Sequence, residues 1–96
     1  MRYIAMNRFE VVAGKGPEFE AVWRNRQSLL QGVSGFVEFH LLRGAENVYV
    51  SHSVWETEAA FVAWTESEAF QQAHAQGGSR GMLQGPPQLS GYQIVL

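Results

Sequence analysis

The chain has 96 residues, of which 46% are hydrophobic and 17% charged, with a formal net charge of -2 and no cysteine. That length fits one domain spanning residues 1–96, with a core small enough to gain from a partner surface. The composition excludes disulfides, thiolate metal sites and a cysteine nucleophile. It offers no basic stripe for nucleic acid and no run near the roughly 20 apolar residues of a membrane helix, so the expected location is the cytoplasm.

Arg2 to Ala13 alternates, with Tyr3, Ala5, Asn7, Phe9 and Val11 on one face and Ile4, Met6 and Val12 on the other, which predicts a strand with apolar residues on both faces. Gly14 to Gly16 is the turn, and Pro17 suits a first helical position because its missing N–H would be unpaired there. Phe19, Val22, Trp23, Arg26, Leu29 and Leu30 follow helical spacing up to a stop at Gly32. Phe36 to Arg43 and Val48 to Glu56 read as strands joined by a four-residue hairpin loop, Gly44 to Asn47.

Thr57 caps a second helical segment running to Gln76. Within it, Thr65-Glu66-Ser67-Glu68 carries a hydroxyl with a carboxylate three residues on, the pattern of an internal helix start, with Ser67 a second N-cap candidate, and predicts a kink or restart near Thr65 to Ser67. Gly77 to Gly91, with five glycines and two adjacent prolines, is expected to be loop with a short turn near Met82, and Tyr92 to Leu96 the last strand.

The order β-α-β-β-α-β is that of the α+β ferredoxin-like fold, a four-stranded antiparallel sheet with both helices on one face. Apolar residues on both faces of the first strand imply that the uncovered face meets a second sheet. A homodimer closing into a shared α/β barrel is therefore expected.

Asn7 interrupts the apolar face of the first strand; its amide either bonds a neighbouring loop or is aimed at a ligand. Trp64 sits among Ala60, Ala63, Ser67 and Gln71, so its ring either packs in the core or faces space left by small neighbours. His74 follows ten residues later, about 15 Å and about 80° away along an unbroken helix. It either complements the helix dipole or ligates a metal through a neutral imidazole. Arg26 closes the stripe of helix one, either laying its stem on the core edge or pairing with a ligand carboxylate. Phe70 reads as core, His40 and His52 match no zinc spacing, the Gly77 to Gly81 run lacks the lysine of a phosphate loop, and no nucleophile elbow is present.

Asn7 with Arg8, the GPEFE helix start at Gly16 to Glu20, SGFVEFHLLRG at Ser34 to Gly44, and VWETEAAFVAWTESEAFQQAH at Val54 to His74 carry a resemblance that runs nearly end to end. The chain resembles the antibiotic-biosynthesis-monooxygenase superfamily, and within it the IsdG-type haem-degrading monooxygenases. That resemblance implies His74 as proximal iron ligand, Asn7 as a distal hydrogen-bond donor, Trp64 as the group that crowds and ruffles the macrocycle, and Arg26 near the propionates. It implies haem as both cofactor and substrate, with molecular oxygen and electrons from an external donor, an unidentified reductase. Val22 stands where some relatives carry another basic residue, and Gly77 to Ser90 resembles them poorly. Two other readings remain: a cofactor-independent monooxygenase acting on an aromatic quinol or polyketide, and a non-enzymatic haem-binding protein.

Overall fold

Alternation at the N-terminus becomes β1 (Tyr3–Glu10), and the sheet is built outward from it. β3 (Val48–Trp55) pairs antiparallel along one edge and β4 (Gln88–Gln93) along the other, while β2 (Phe36–Arg43) extends the sheet beyond β3, giving the order β2-β3-β1-β4. This is the ferredoxin-like arrangement expected from the element order. The computed structural model describes residues 1–75 and 81–96, without the side chains of 27, 28 and 73–75.

Register decides which side chains share a face. Tyr3, Ala5, Asn7 and Phe9 of β1 stand opposite Trp55, Ser53, Ser51 and Tyr49 of β3, and together they form the helix-covered face. The core sits there at one end: Phe9, Val11, Phe19 and Tyr49 are buried together, with Trp23 packed against them. Phe19 lies 5.1 Å from the Phe9 ring and 5.2 Å from Tyr49, within the tilted and edge-to-face geometries aromatic pairs favour. The opposite face carries Ile4, Met6, Val50, Leu42 and Tyr92, and no described element covers it.

Helix α1 (Gly16–Arg26) ends six residues before Gly32, and a 3₁₀ turn, Gln27–Leu30, supplies the remainder. The chain stops where expected, since Gly32 adopts φ +81°, a left-handed conformation that glycine takes without steric cost. The hairpin between β2 and β3 closes on Glu46 and Asn47, both with positive φ, and the Val48 N–H donates to Ala45 O at 3.2 Å. Two consecutive left-handed residues give the turn a twist that matches the strands it joins.

The long helical segment is broken as its sequence suggests. α2 (Glu58–Thr65) begins on the Thr57 cap, whose Oγ1 accepts from Ala60 N at 3.1 Å, and α3 (Glu68–Ala75) follows after Glu66 and Ser67. The capping group is Ser67 rather than Thr65. Ser67 Oγ accepts from Phe70 N at 3.2 Å and donates to Trp64 O at 2.7 Å, whereas the Thr65 hydroxyl turns back to Val62 O within α2.

The last strand departs from expectation. β4 starts at Gln88, not Tyr92, and ends at Gln93, although Ile94 N still donates to Arg2 O at 2.9 Å. Its ladder with β1 runs from Arg8↔Gln88 to Tyr3↔Gln93, a pairing fixed by the partner and not by apolar alternation of its own. Gly91 has a reason to be glycine there, because a side chain would run into the phenol of Tyr3. The expected turn near Met82 is present: Leu83 bridges Val11 and Val12 N donates to Met82 O at 2.7 Å. Residues 76–80, where the glycine-rich run begins, lie outside the described residues.

Candidate functional site

Between the sheet and α2–α3 the helix-covered face does not fill completely. The cavity left has a volume of about 150 Å³ and is walled by aromatic side chains, Phe39, Trp55, Phe61, Trp64 and Phe70, with Leu89 of β4 at one side. Small residues explain why space remains: Ala5, Ser51 and Ser53 form the sheet floor around Asn7, where larger side chains would reach the helices. Ser53 is itself used to hold the wall, accepting from Trp55 Nε1 at 2.9 Å while donating to Ala5 O.

Three of the four sequence-derived site residues line this one cavity. Asn7 comes from the floor on β1, Arg26 from the end of α1, and Trp64 from the last turn of α2. Trp64 satisfies both of its readings: it stacks on buried Trp55 with ring centroids 6.3 Å apart and meets Phe70 edge-on at 5.7 Å, while lining the space. His74 is the fourth. Its backbone belongs to α3, one turn beyond Phe70, and its side chain lies outside the described residues.

The polar groups at this wall are the informative ones. Asn7 Oδ1, Arg26 Nε and Trp23 Nε1 are buried without a hydrogen-bond partner among the described residues, and the three residues that carry them all line the cavity. A buried polar atom left unpaired costs about 1–3 kcal/mol, so a fold seldom keeps three together unless something else meets them. Among the described residues the Asn7 amide oxygen meets no loop partner. A half-turn of the amide exchanges oxygen for NH₂, so the same position can accept or donate. Burial pushes the Arg26 guanidinium below its usual pKa, and the group lies 5.4 Å from the Trp23 ring centroid, a cation–π distance.

A larger depression of about 400 Å³ lies on the far side of Trp23 and Phe39, and it is open and polar. Its charges already answer one another: Glu20 accepts from Tyr49 Oη at 2.6 Å and faces Arg24 at 3.6 Å and Arg43 at 3.5 Å. The smaller cavity, with unmet polar groups in an apolar wall, is the better candidate for a binding site. His40 and His52 stand opposite each other on the uncovered sheet face, with His40 Nε2 3.1 Å from Glu38, and take no part in the cavity.

Sequence reasoning missed Trp23, and it treated Phe70 as core when it borders the cavity. It also missed Phe39, Trp55 and Leu89. A run of aromatics at strand and helix spacing was the available signal, but periodicity identifies a buried face without telling whether that face is filled.

The family model for antibiotic biosynthesis monooxygenase matches residues 2–76. A mycobilin-producing haem oxygenase of Mycobacterium tuberculosis is 35% identical over a 100-residue alignment that takes in 100% of this chain and 91% of that protein. The solved structure of the haem degrader MhuD from Mycobacterium tuberculosis, with two haems bound in its active site, matches with a TM-score of 0.81 at 33% identity, covering 98% of this chain and 96% of that one. A variant of SnoaB, a cofactor-independent oxygenase from Streptomyces nogalater, matches equally well in shape, with a TM-score of 0.81 at 27% identity over 99% of this chain and 94% of its own. The chain belongs to the antibiotic biosynthesis monooxygenase family.

Proposed function

We propose that this protein is a haem-degrading monooxygenase that uses molecular oxygen and electrons from an external donor to open the porphyrin ring and release iron. The observation that carries the proposal is the cavity itself, where Trp64 meets Asn7 and Arg26, whose buried polar atoms find no partner among the described residues, inside an aromatic wall. The likeness of the whole chain to a haem oxygenase supports haem as the ligand.

The residues fit such a ligand in kind. A porphyrin presents flat apolar faces, carboxylates and a metal with axial positions; the cavity presents ring faces, a guanidinium and a buried amide. They fit less well in size, since about 150 Å³ is below the usual ligand-pocket range of about 300–1,000 Å³. A macrocycle would therefore need the wall to open, and the wall is broken where α2 and α3 meet at Glu66 and Ser67. In this reading the haem supplies the redox chemistry when bound. There His74 would hold the metal, the Asn7 amide would offer a hydrogen bond to the ligand, Trp64 would pack against its ring and Arg26 would meet a carboxylate.

The same reading assigns the uncovered sheet face, where Leu42 and Tyr92 are 45% and 54% exposed, to a second copy of the chain. Light scattering at micromolar concentration should give a dimer, and a monomer would refute that assignment. Among the described residues no helix is long and apolar enough to cross a membrane, and we assign the reaction to the cytoplasm with a reductase still to be identified.

Titration with haemin is expected to give a Soret band that fades when ascorbate and oxygen are added, and His74→Ala should lose iron ligation. Normal haem binding and degradation by that variant would overturn the proposal. The second reading, a cofactor-independent oxygenase acting on an aromatic quinol or polyketide, draws on the small cavity and on the likeness to SnoaB. It predicts no Soret complex at all. A stable Soret band under reductant and oxygen would instead indicate a non-enzymatic haem-binding protein.

A further inference from the structure

Trp23 sits in α1 one turn before Arg26, and its ring is held on three sides. It stacks on Phe39 with centroids 5.5 Å apart and planes 16° from parallel, and meets Phe9 and Phe19 edge-on at 5.6 Å and 6.2 Å. Those contacts fix where its indole nitrogen points. Yet Nε1, which can only donate, is buried with no acceptor among the described residues, although the other core indole, Trp55, donates to Ser53. Arg26, whose own Nε is also unpaired, places its guanidinium carbon 5.4 Å from the Trp23 ring centroid. Two adjacent donors, one of them cationic, with no acceptor among the described residues, are complementary to an anionic oxygen acceptor.

We propose that the Trp23 indole N–H is a second donor, beside Arg26, for a carboxylate of the ligand that enters the cavity, so that the site selects flat aromatic acids over their esters. This deepens the haem reading and rests on it. Arginine alone would attract any nearby anion over a range of orientations. An indole donor held by three rings accepts one direction of approach, which would set how a ligand with carboxylates on one side is turned in the cavity.

The test compares zinc protoporphyrin IX, a diamagnetic probe, with its dimethyl ester. Wild-type protein is expected to bind the free acid more tightly. Trp23→Phe, which keeps an aromatic ring in the wall, should weaken the free acid about ten-fold while leaving the ester unchanged, the size expected for a hydrogen bond to a charged group. Unchanged ester binding also shows that the variant is folded.

A second measurement reads binding on the wild type: among the three tryptophan indole N–H signals of the ¹⁵N-labelled protein, the one assigned to Trp23 by its absence from the Trp23→Phe spectrum should move downfield with the acid and not with the ester. Equal binding of acid and ester by the wild type, an acid preference that survives Trp23→Phe intact, or an indole signal indifferent to the carboxylate would each overturn the proposal. Binding of neither porphyrin would overturn the haem reading as well, and so separates the two failures.

Discussion

Replacing Asn7 with leucine should stabilise the ligand-free protein while removing what the residue is there to do. Asn7 Oδ1 is buried on the floor of the cavity without a partner, and an unpaired buried polar atom costs about 1–3 kcal/mol relative to an apolar group of similar shape. Leucine has the same branching and is larger, and the cavity beside Ala5, Ser51 and Phe39 leaves room for its methyls. Allowing for imperfect packing, the gain should be about 1–2 kcal/mol. In a domain of this size each kcal/mol moves Tm by about 4–8 °C. Urea unfolding at a fixed protein concentration, with equal slopes for the two proteins, measures it directly. In the same preparation haemin turnover should fall steeply. A loss of 1 kcal/mol or more in Asn7→Leu would refute the reasoning, because it would mean that the amide is satisfied within the fold.

Phe19→Ala, at a fully buried position touching Phe9, Trp23 and Tyr49, should cost about 3–5 kcal/mol by the same unfolding assay, a large part of a typical total of about 5–15 kcal/mol. Ser67→Ala removes the α3 cap and should cost about 1 kcal/mol, with faster hydrogen exchange at the Phe70 amide and little change at Ala60, which belongs to the separately capped α2. Burial, and then the hydrogen bond and charge of Glu20, raise the Tyr49 pKa above its usual 10.0. The folded protein therefore keeps that proton after the unfolded chain has lost it, so stability should be level below about pH 10 and fall above it. Tyr49→Phe should flatten that alkaline decline, and an unaltered slope would contradict the assignment.

The sequence was most readable where local chemistry decides. Ser67 and Thr57 sit at helix starts, Gly32 stops α1, and the β1 alternation places Asn7 on the same face as Phe9. Asn7, Arg26 and Trp64 could be singled out because each breaks the pattern of its element, and the fold brings all three to one cavity. What could not be read was non-local. β4 is a polar, exposed strand, Gln88–Gln93, specified by its ladder with β1 and not by its own periodicity. Trp23 looked like any stripe tryptophan, since spacing shows that a ring is buried but not whether its nitrogen has found an acceptor.

The double pairing of β1 has a practical consequence. Hydrogen-bonded to β3 along one edge and β4 along the other, the strand cannot shift without breaking two ladders, so the carboxamide at position 7 keeps its coordinates whatever enters above it. Adaptation to a new substrate must then come from the ceiling, not the floor. A library aimed at altered substrate range should vary Thr65 and Phe70 and leave the central strand alone.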